Sequence, residues 1–445
     1  MGKRETFNKI SFPRIFYITY ISNTQKTGKM KKILAIFILF QAFALLAKDL
    51  YFDGSCDKDP LSYKTNEVMT FTITLKNKKS KEIVTGRKVK WQRKGDDSRI
   101  ENGVATTDQP LVIKTSSNKP GFVRITVELL DENGKPIKKR NSKFDGGACA
   151  DVKLLDMTSK PEDFDKFWDG EYKKLRSTPY KTLLTEVKSQ DPKIKVSKFS
   201  ISTLPGHIDA TGYILIPVGA KAKSLPIVGK FTGYGFGATP IDYNLAKKGN
   251  IIVQVTRQGE EPDRNKEYYN DLKNNKCKKF CYRNNDDMHK NDFYNMIIRG
   301  LRALSYAETL PEWDGKTMLV RGGSMGGFQA LAMAALNEKV SHCTALVPWM
   351  ADLEGYVKYK RLKGWRPDWI AQLGYFDVVN FATRIKCPAT IEVGLGDYVC
   401  PPSGGMLLYR SLKGEKKLVL RQNCGHSTTP YGINQKTYNY SGDLK

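Results

Sequence analysis

Residues 320–330 read VRGGSMGGFQA. The apolar run TMLV (317–320) leads into this stretch, and the alanine-rich FQALAMAAL (328–336) continues from it. A short apolar run, a cluster of glycines and an alanine-rich run spell strand, sharp turn and helix. The glycines around Ser324 let the chain reverse tightly and let neighbouring elements come close. A serine at such a turn projects its hydroxyl outward. The Met325 N–H, at the start of the helix, then faces the place where charge develops on an attacked carbonyl oxygen. The Gly-x-Ser-x-Gly spacing alone is weak, because a glycine-rich crossover with a buried serine has the same letters. A phosphate-binding loop would need Lys-Ser/Thr next, and that pair does not follow.

The surroundings of this unit set the fold class. KFSIS (198–202) and GYILIP (212–217) read as an initial hairpin. LPIVGKF (225–231), NIIVQV (250–255), TMLV, CTALVP (343–348), ATIEVG (389–394) and KLVLR (417–421) follow as short apolar runs, the pattern of strands buried on both faces. Helical spacing lies between them, as in 291–310. Residues 153–445 therefore predict an α/β fold with an eight-stranded, mostly parallel sheet and flanking helices. Residues 48–152 have period two instead: MTFTITLK (69–76), KVKW (88–91) and FVRITVELL (122–130), the last followed by a turn at Asn133-Gly134. These predict an all-β, immunoglobulin-like sandwich domain without a catalytic constellation.

A serine needs a base to act as a nucleophile. The chain has four histidines, at 207, 289, 342 and 426. The strand–turn–helix unit resembles the nucleophile elbow of α/β-hydrolases, in which the order is serine, acid, histidine. His342 follows Ser324 too soon to leave room for an acid on a later strand. His426, in QNCGHSTT after the last predicted strand, is the expected base. Asp397, in LGDYVCPP after ATIEVG, is the expected acid that orients it; a plain turn aspartate is the bland reading. The second oxyanion donor belongs on KFTGYGFG (230–237), and the Tyr234 N–H is expected there beside that of Met325. Arg257 and Gln258, in QVTRQGEE (254–261), are expected to support the loops or substrate at the sheet's carboxyl end; for Arg257 an ordinary ion pair is an equal alternative. No metal or cofactor is expected. The CxxxC at 277–281 lacks the further ligands of a zinc site.

Residues 30–47, MKKILAIFILFQAFALLA, have two lysines, an apolar core and small residues at 42, 44 and 47. That is the layout of a secretory signal peptide, too short for a comfortable bilayer span. Residues 1–29 then read as an upstream extension with Met30 as the true start. The expected location is secreted or periplasmic, with no stable membrane insertion after signal removal. Eight cysteines suit an oxidising compartment, with the pairing open. The formal net charge is +27. Lysines are interspersed with acids and no nucleic-acid motif is present, so a basic solvated surface is the preferred reading over a nucleic-acid partner.

Several stretches in order resemble one family, the acetyl xylan esterases and cephalosporin C deacetylases: PEDFDKFW (161–168), FTGYGFG (231–237), TRQG (256–259), PEWDGKTMLVRGGSMGG (311–327), GLGDYVCPPSGG (394–405) and CGH (424–426). The resemblance covers roughly 160–430. It implies an α/β-hydrolase that removes acetyl groups from sugars and related small esters, with Ser324, Asp397 and His426 as its triad and the Tyr234 and Met325 amides as its oxyanion hole. Thr232 stands where the family usually has His, Met325 where it has Gln, and Arg257-Gln258-Gly259 where it has Arg-Gly-Gln. These departures bear on loop packing, substrate preference and any family-like hexamer, so oligomeric state stays open. The expected partner is an acetylated oligo- or polysaccharide, and the expected enzyme a carboxylic ester hydrolase working through an acetyl-enzyme. A serine hydrolase of another specificity (prolyl-peptidase-like or longer-acyl) and a non-catalytic glycan-binding protein are the alternatives.

Overall fold

The computed structural model describes residues 49–433 and 435–444; the expected signal segment and upstream extension lie outside the described residues. Leu50 to Lys445 belongs to one compact unit.

The first part of this unit is all β. Strands β1 (Leu50–Cys56), β2 (Met69–Asn77) and β5 (Leu111–Thr115) form one antiparallel sheet in the order β1-β2-β5. Strands β3 (Lys88–Gly95), β4 (Ile100–Thr106), β6 (Gly121–Leu129) and β7 (Lys143–Ala150) form another, in the order β4-β3-β6-β7. The alternation in the sequence is what the sheets use. Phe71, Ile73 and Leu75 from the first sheet share one core with Val123, Ile125, Val127 and Leu129 from the second. The turn at Asn133-Gly134 closes only an isolated bridge, Leu130 to Pro136, before the chain enters β7.

The second part is built on a ten-stranded sheet. Its strands are β8 (Thr182–Val187), β9 (Ile194–Ile201), β10 (Ala210–Pro217), β11 (Leu225–Phe231), β12 (Ile251–Val255), β13 (Trp313–Gly323), β14 (His342–Leu346), β15 (Ala389–Gly394), β16 (Lys416–Arg421) and β17 (Thr437–Ser441). The order is β17-β16-β15-β14-β13-β11-β12-β10-β9-β8. The run from β12 to β16 is parallel and both flanks are antiparallel. The sequence expectation of eight strands is corrected to ten. The two extra strands are the outermost. TLLTEV at β8 is largely exposed, and TYNYS at β17 covers its edge with two half-buried tyrosines, so neither has the apolar signature of a central strand.

Helix α1 (Phe164–Ser177) and helix α2 (Asp292–Ala307) cover the sheet together with helix α3 (Met325–Leu336). The Asn291 side chain caps α2 by accepting from the Phe293 N–H at 2.7 Å. Helix α3 is buried at every position, which explains its lack of a polar face. Helix α4 (Pro402–Ser411) starts with proline in its first turn. Phe122 and Cys149 of the all-β part join the core of the large sheet, so the two parts share packing. Among the described residues no helix is long and apolar enough to cross a membrane.

The strand order reverses at β11: the chain leaves it to one side for β12 and returns on the other for β13. Open α/β sheets place ligands outside the carboxyl ends of the strands at such a point.

Candidate active site

Ser324 forms the turn between β13 and α3. Its backbone lies at φ 55°, ψ −118°, a region that costs a residue with a Cβ about 1–3 kcal/mol. Three hydrogen bonds hold it there. The Ser324 N–H donates to Leu346 O (2.8 Å), and its carbonyl accepts from the Phe328 N–H (3.1 Å) and the Trp349 N–H (3.1 Å). The surrounding glycines are sterically required. A Cβ at Gly322 would overlap the Gly326 backbone, and one at Gly326 would overlap the Phe231 carbonyl.

His426 lies on the loop after β16, and Asp397 on the loop after β15. His426 Nε2 is 2.9 Å from Ser324 Oγ, and His426 Nδ1 is 2.9 Å from Asp397 Oδ2. Asp397 is fully buried, and its Oδ1 accepts from the Val399 N–H (2.8 Å) and the Cys400 N–H (2.9 Å). The structure thus brings together the three residues the sequence singles out, from positions 73 and 29 apart in the chain. With the carboxylate on Nδ1, the neutral ring carries its proton there and turns the Nε2 lone pair to the serine hydroxyl.

The loop after β11 comes up beside them. A Cβ on Gly233 would stand 3.1 Å from Gly323 O and 3.8 Å from Ser324 Cβ. The Tyr234 N–H makes no backbone hydrogen bond among the described residues. The Met325 N–H opens α3, where amides have no acceptor one turn back. Arg257 bonds this loop and also forms an ion pair with Glu260. Its Nε donates to Gly233 O at 3.0 Å, and its Nη1 to Gly237 O at 3.3 Å and Glu260 Oε1 at 2.9 Å. Gln258 contributes its backbone: the N–H donates to Glu260 Oε2 at 2.6 Å. Gly259 takes φ +75°, where a Cβ would press on Ile208. Glu260, buried beneath both, was missed in the sequence; its only signal is an acid three residues after Arg257.

The segment between β14 and β15 also enters the site. Trp365 stacks on Trp349 (centroids 5.0 Å apart, planes at 17°) and meets the half-exposed Tyr234 ring edge-on at 5.0 Å. Beside them lies a cavity of about 10 Å³ bordered by Pro348, Trp349, Val399 and Cys400, room for about one water. Beneath it, Asp352 pairs with Arg361 at 2.8 Å. Asp377 accepts the amides of Asp352, Leu353 and Val379. Burial pushes the Asp352 carboxyl up to about 7 and that of Asp377 up to about 6.

Asp397, Cys400 and His426 offer three ligand-type atoms within 4.8 Å of one another. Both His426 nitrogens are engaged by Asp397 and Ser324. Burial raises the Cys400 thiol well above its ordinary value, with Asp397 adding to the rise, which disfavours the thiolate a metal would need. All eight cysteines are free thiols.

A large sheet, parallel from β12 to β16, with its strand order reversed at β11 and a serine, histidine and aspartate at the carboxyl ends of its strands, has the α/β-hydrolase-like fold. Two solved structures share it. An acetyl xylan esterase from Paenibacillus sp. R4 is 24% identical (TM-score 0.52; 63% of this chain, 94% of that one). Acetyl xylan esterase 1 from Thermoanaerobacterium sp. JW/SL YS485 is 22% identical (TM-score 0.52; 62% and 93%). The acetyl esterase Axe7A of Xylanibacter ruminicola is 28% identical over 357 residues, 74% of this chain and 75% of that one. The model of the acetyl xylan esterase (AXE1) family matches residues 153–444, and the chain belongs to that family. It is a carboxylic ester hydrolase.

Proposed function

We propose that the protein is an exported serine esterase that removes acetyl groups from acetylated xylan or xylo-oligosaccharides. The observation that carries this reading is the hydrogen-bonded chain Ser324 Oγ, His426 Nε2, His426 Nδ1, Asp397 Oδ2. Ser324 Oγ attacks the acetyl carbonyl carbon while His426 Nε2 takes the hydroxyl proton. Asp397 steadies the imidazolium that forms. The Tyr234 and Met325 amides receive the negative charge on the former carbonyl oxygen. Collapse breaks the bond to the sugar oxygen, which leaves with the proton from His426. Water then attacks the acetyl-enzyme as His426 takes its proton; the bond from the acyl carbon to Ser324 Oγ breaks, Oγ takes that proton back from His426, and acetate departs. No step calls for a cofactor.

The family match and the name of the relative Axe7A support acetyl as the acyl group. The half-exposed Tyr234 and its partner Trp365 offer ring faces suited to a sugar. The strand orders β1-β2-β5 and β4-β3-β6-β7 support reading residues 48–152 as an immunoglobulin-like module ahead of the catalytic part. The composition of residues 30–47 supports export.

Acetate release from acetylated xylan and xylo-oligosaccharides, compared between the mature protein and Ser324→Ala, tests the proposal. Release by the wild type that vanishes in the variant is the expected result. A folded wild type that releases none, yet turns over longer esters or peptide amides, transfers the site to another substrate class. N-terminal sequencing of the native protein tests export; a mature start before Met30 overturns that part.

A further inference from the structure

The loops that carry Asp397 and His426 are held together from outside the large sheet. Arg124, on β6, donates through Nε to the carbonyl of Gly396, the residue before Asp397, at 2.9 Å. Its Nη2 pairs with Asp145 on the adjacent β7. The Asp145 N–H donates to Asn423 Oδ1 at 3.2 Å. Two residues on, the Gly147 N–H donates to Gln422 Oε1 (2.9 Å) and the Gly147 carbonyl accepts from Gln422 Nε2 (3.2 Å). Asn423 and Gln422 begin the loop that ends in His426.

Sterics tell the same story. A Cβ on Gly396 would overlap the Asp145 backbone. A Cβ on Gly425, the residue before His426, would stand 3.3 Å from Asp145 Oδ2. Asp145 is therefore wedged between the residue preceding the acid and the residue preceding the histidine. Further out, Arg140 donates to Ser427 Oγ at 3.1 Å. Arg124 and Lys143 each lie 5.3 Å from the centre of the Tyr398 ring, next to Asp397.

A pair this enclosed is a poor source of net stability, because desolvation offsets most of its attraction. Its position suggests a different use. We propose that Arg124 and Asp145 are positioning residues, which fix the spacing of Asp397 and His426, so that the all-β segment sets the geometry of the proton relay. The inference rests on the triad reading above. Proton transfer is sensitive to such spacing: a displacement of about 1 Å can lower a rate about 100-fold.

The test uses the whole mature protein. Arg124→Gln and Arg124→Lys are compared with Ile113→Ala, which opens a cavity in the all-β core away from both loops. For each, kcat and KM on a short acetyl ester are followed over a pH series, with thermal midpoint and the rate of Ser324 labelling by a fluorophosphonate. Arg124→Gln is expected to lower kcat and labelling about tenfold or more, leave KM within about twofold, and displace the acidic limb of the pH profile. Arg124→Lys is expected not to restore the rate, since an ammonium does not present the fork that serves Gly396 and Asp145 together. Ile113→Ala is expected to lower the midpoint with kcat and the acidic limb unchanged. If Arg124→Gln fails to fold, Asp145→Asn replaces it with the same expectations. An Arg124→Gln protein with wild-type kcat and acidic limb overturns the inference. So does an Ile113→Ala protein that loses kcat to the same extent. Wild-type protein that the fluorophosphonate does not label at Ser324 sinks the triad reading itself, whereas equal labelling of wild type and variant sinks this inference alone.

Discussion

Arg257 reaches from the end of β12 to the carbonyl of Gly233 on the loop after β11, a bond of 3.0 Å, while Glu260 grips the same guanidinium from below at 2.9 Å. One side chain thus ties the loop that presents the Tyr234 amide to the neighbouring strand. Lysine cannot serve Gly233, Gly237 and Glu260 at once. Arg257→Lys is expected to lower kcat about 10- to 100-fold on a short acetyl ester, with a smaller change in KM, because the Tyr234 amide, in its proposed role as oxyanion donor, acts on the transition state. Equal losses through KM alone would assign Arg257 to substrate binding instead.

Ser324, His426 and Asp397 are expected to behave as a unit. Ser324→Ala or His426→Ala should each lower acetate release by about a thousandfold or more. The double variant should be no worse than the poorer single one, because each removes the same covalent route. Multiplying losses, measured under identical conditions, would contradict a shared mechanism.

The elbow should tolerate almost no added bulk. Gly326→Ala places a methyl on the Phe231 carbonyl, and neither backbone can withdraw without moving a central strand. A loss of at least about 2 kcal/mol in denaturant unfolding is expected. A variant of wild-type stability would mean that α3 can shift away from β11.

The buried acids beneath Trp365 give stability a definite pH dependence. Asp352 and Asp377 are raised from 3.8 to about 7 and about 6 by burial. Between the unfolded and folded values the native state holds more protons than the unfolded chain, so this contribution is full below about pH 4 and is lost as pH rises towards 7. Asp57 and Glu171, held below their ordinary values, work in the opposite sense, so the comparison is between proteins. Asp352→Asn should flatten the fall in thermal midpoint between about pH 5 and pH 8 relative to the wild type. An unchanged slope would show that Arg361 keeps Asp352 ionised throughout.

Much of the parallel sheet was legible because its strands are short apolar runs separated by helical spacing, a pattern that follows from burial on both faces. β8 and β17 were not, since edge strands with exposed or tyrosine-lined faces carry no such signature. The candidate serine and histidine followed from one constraint, a serine in a strand–turn–helix unit with only two later histidines. Glu260, Arg124 and Asp145 could not be found that way. Each matters through what it touches across the fold, and Asp145 lies 252 residues from Asp397 in the chain. A polar residue in an alternating strand looks the same whether it faces solvent or another segment's loop.

The stacked pair Trp349 and Trp365 has one further consequence, an optical one. The Trp349 amide bonds the Ser324 carbonyl, and Trp365 touches the Tyr234 ring. Two of the chain's six indoles therefore sit within one residue's reach of the place where an ester would be cleaved. Their emission should respond when Ser324 is acylated, with Trp365→Phe identifying the component that changes. Such a response would time acyl-enzyme formation and decay in stopped flow on natural, colourless substrates.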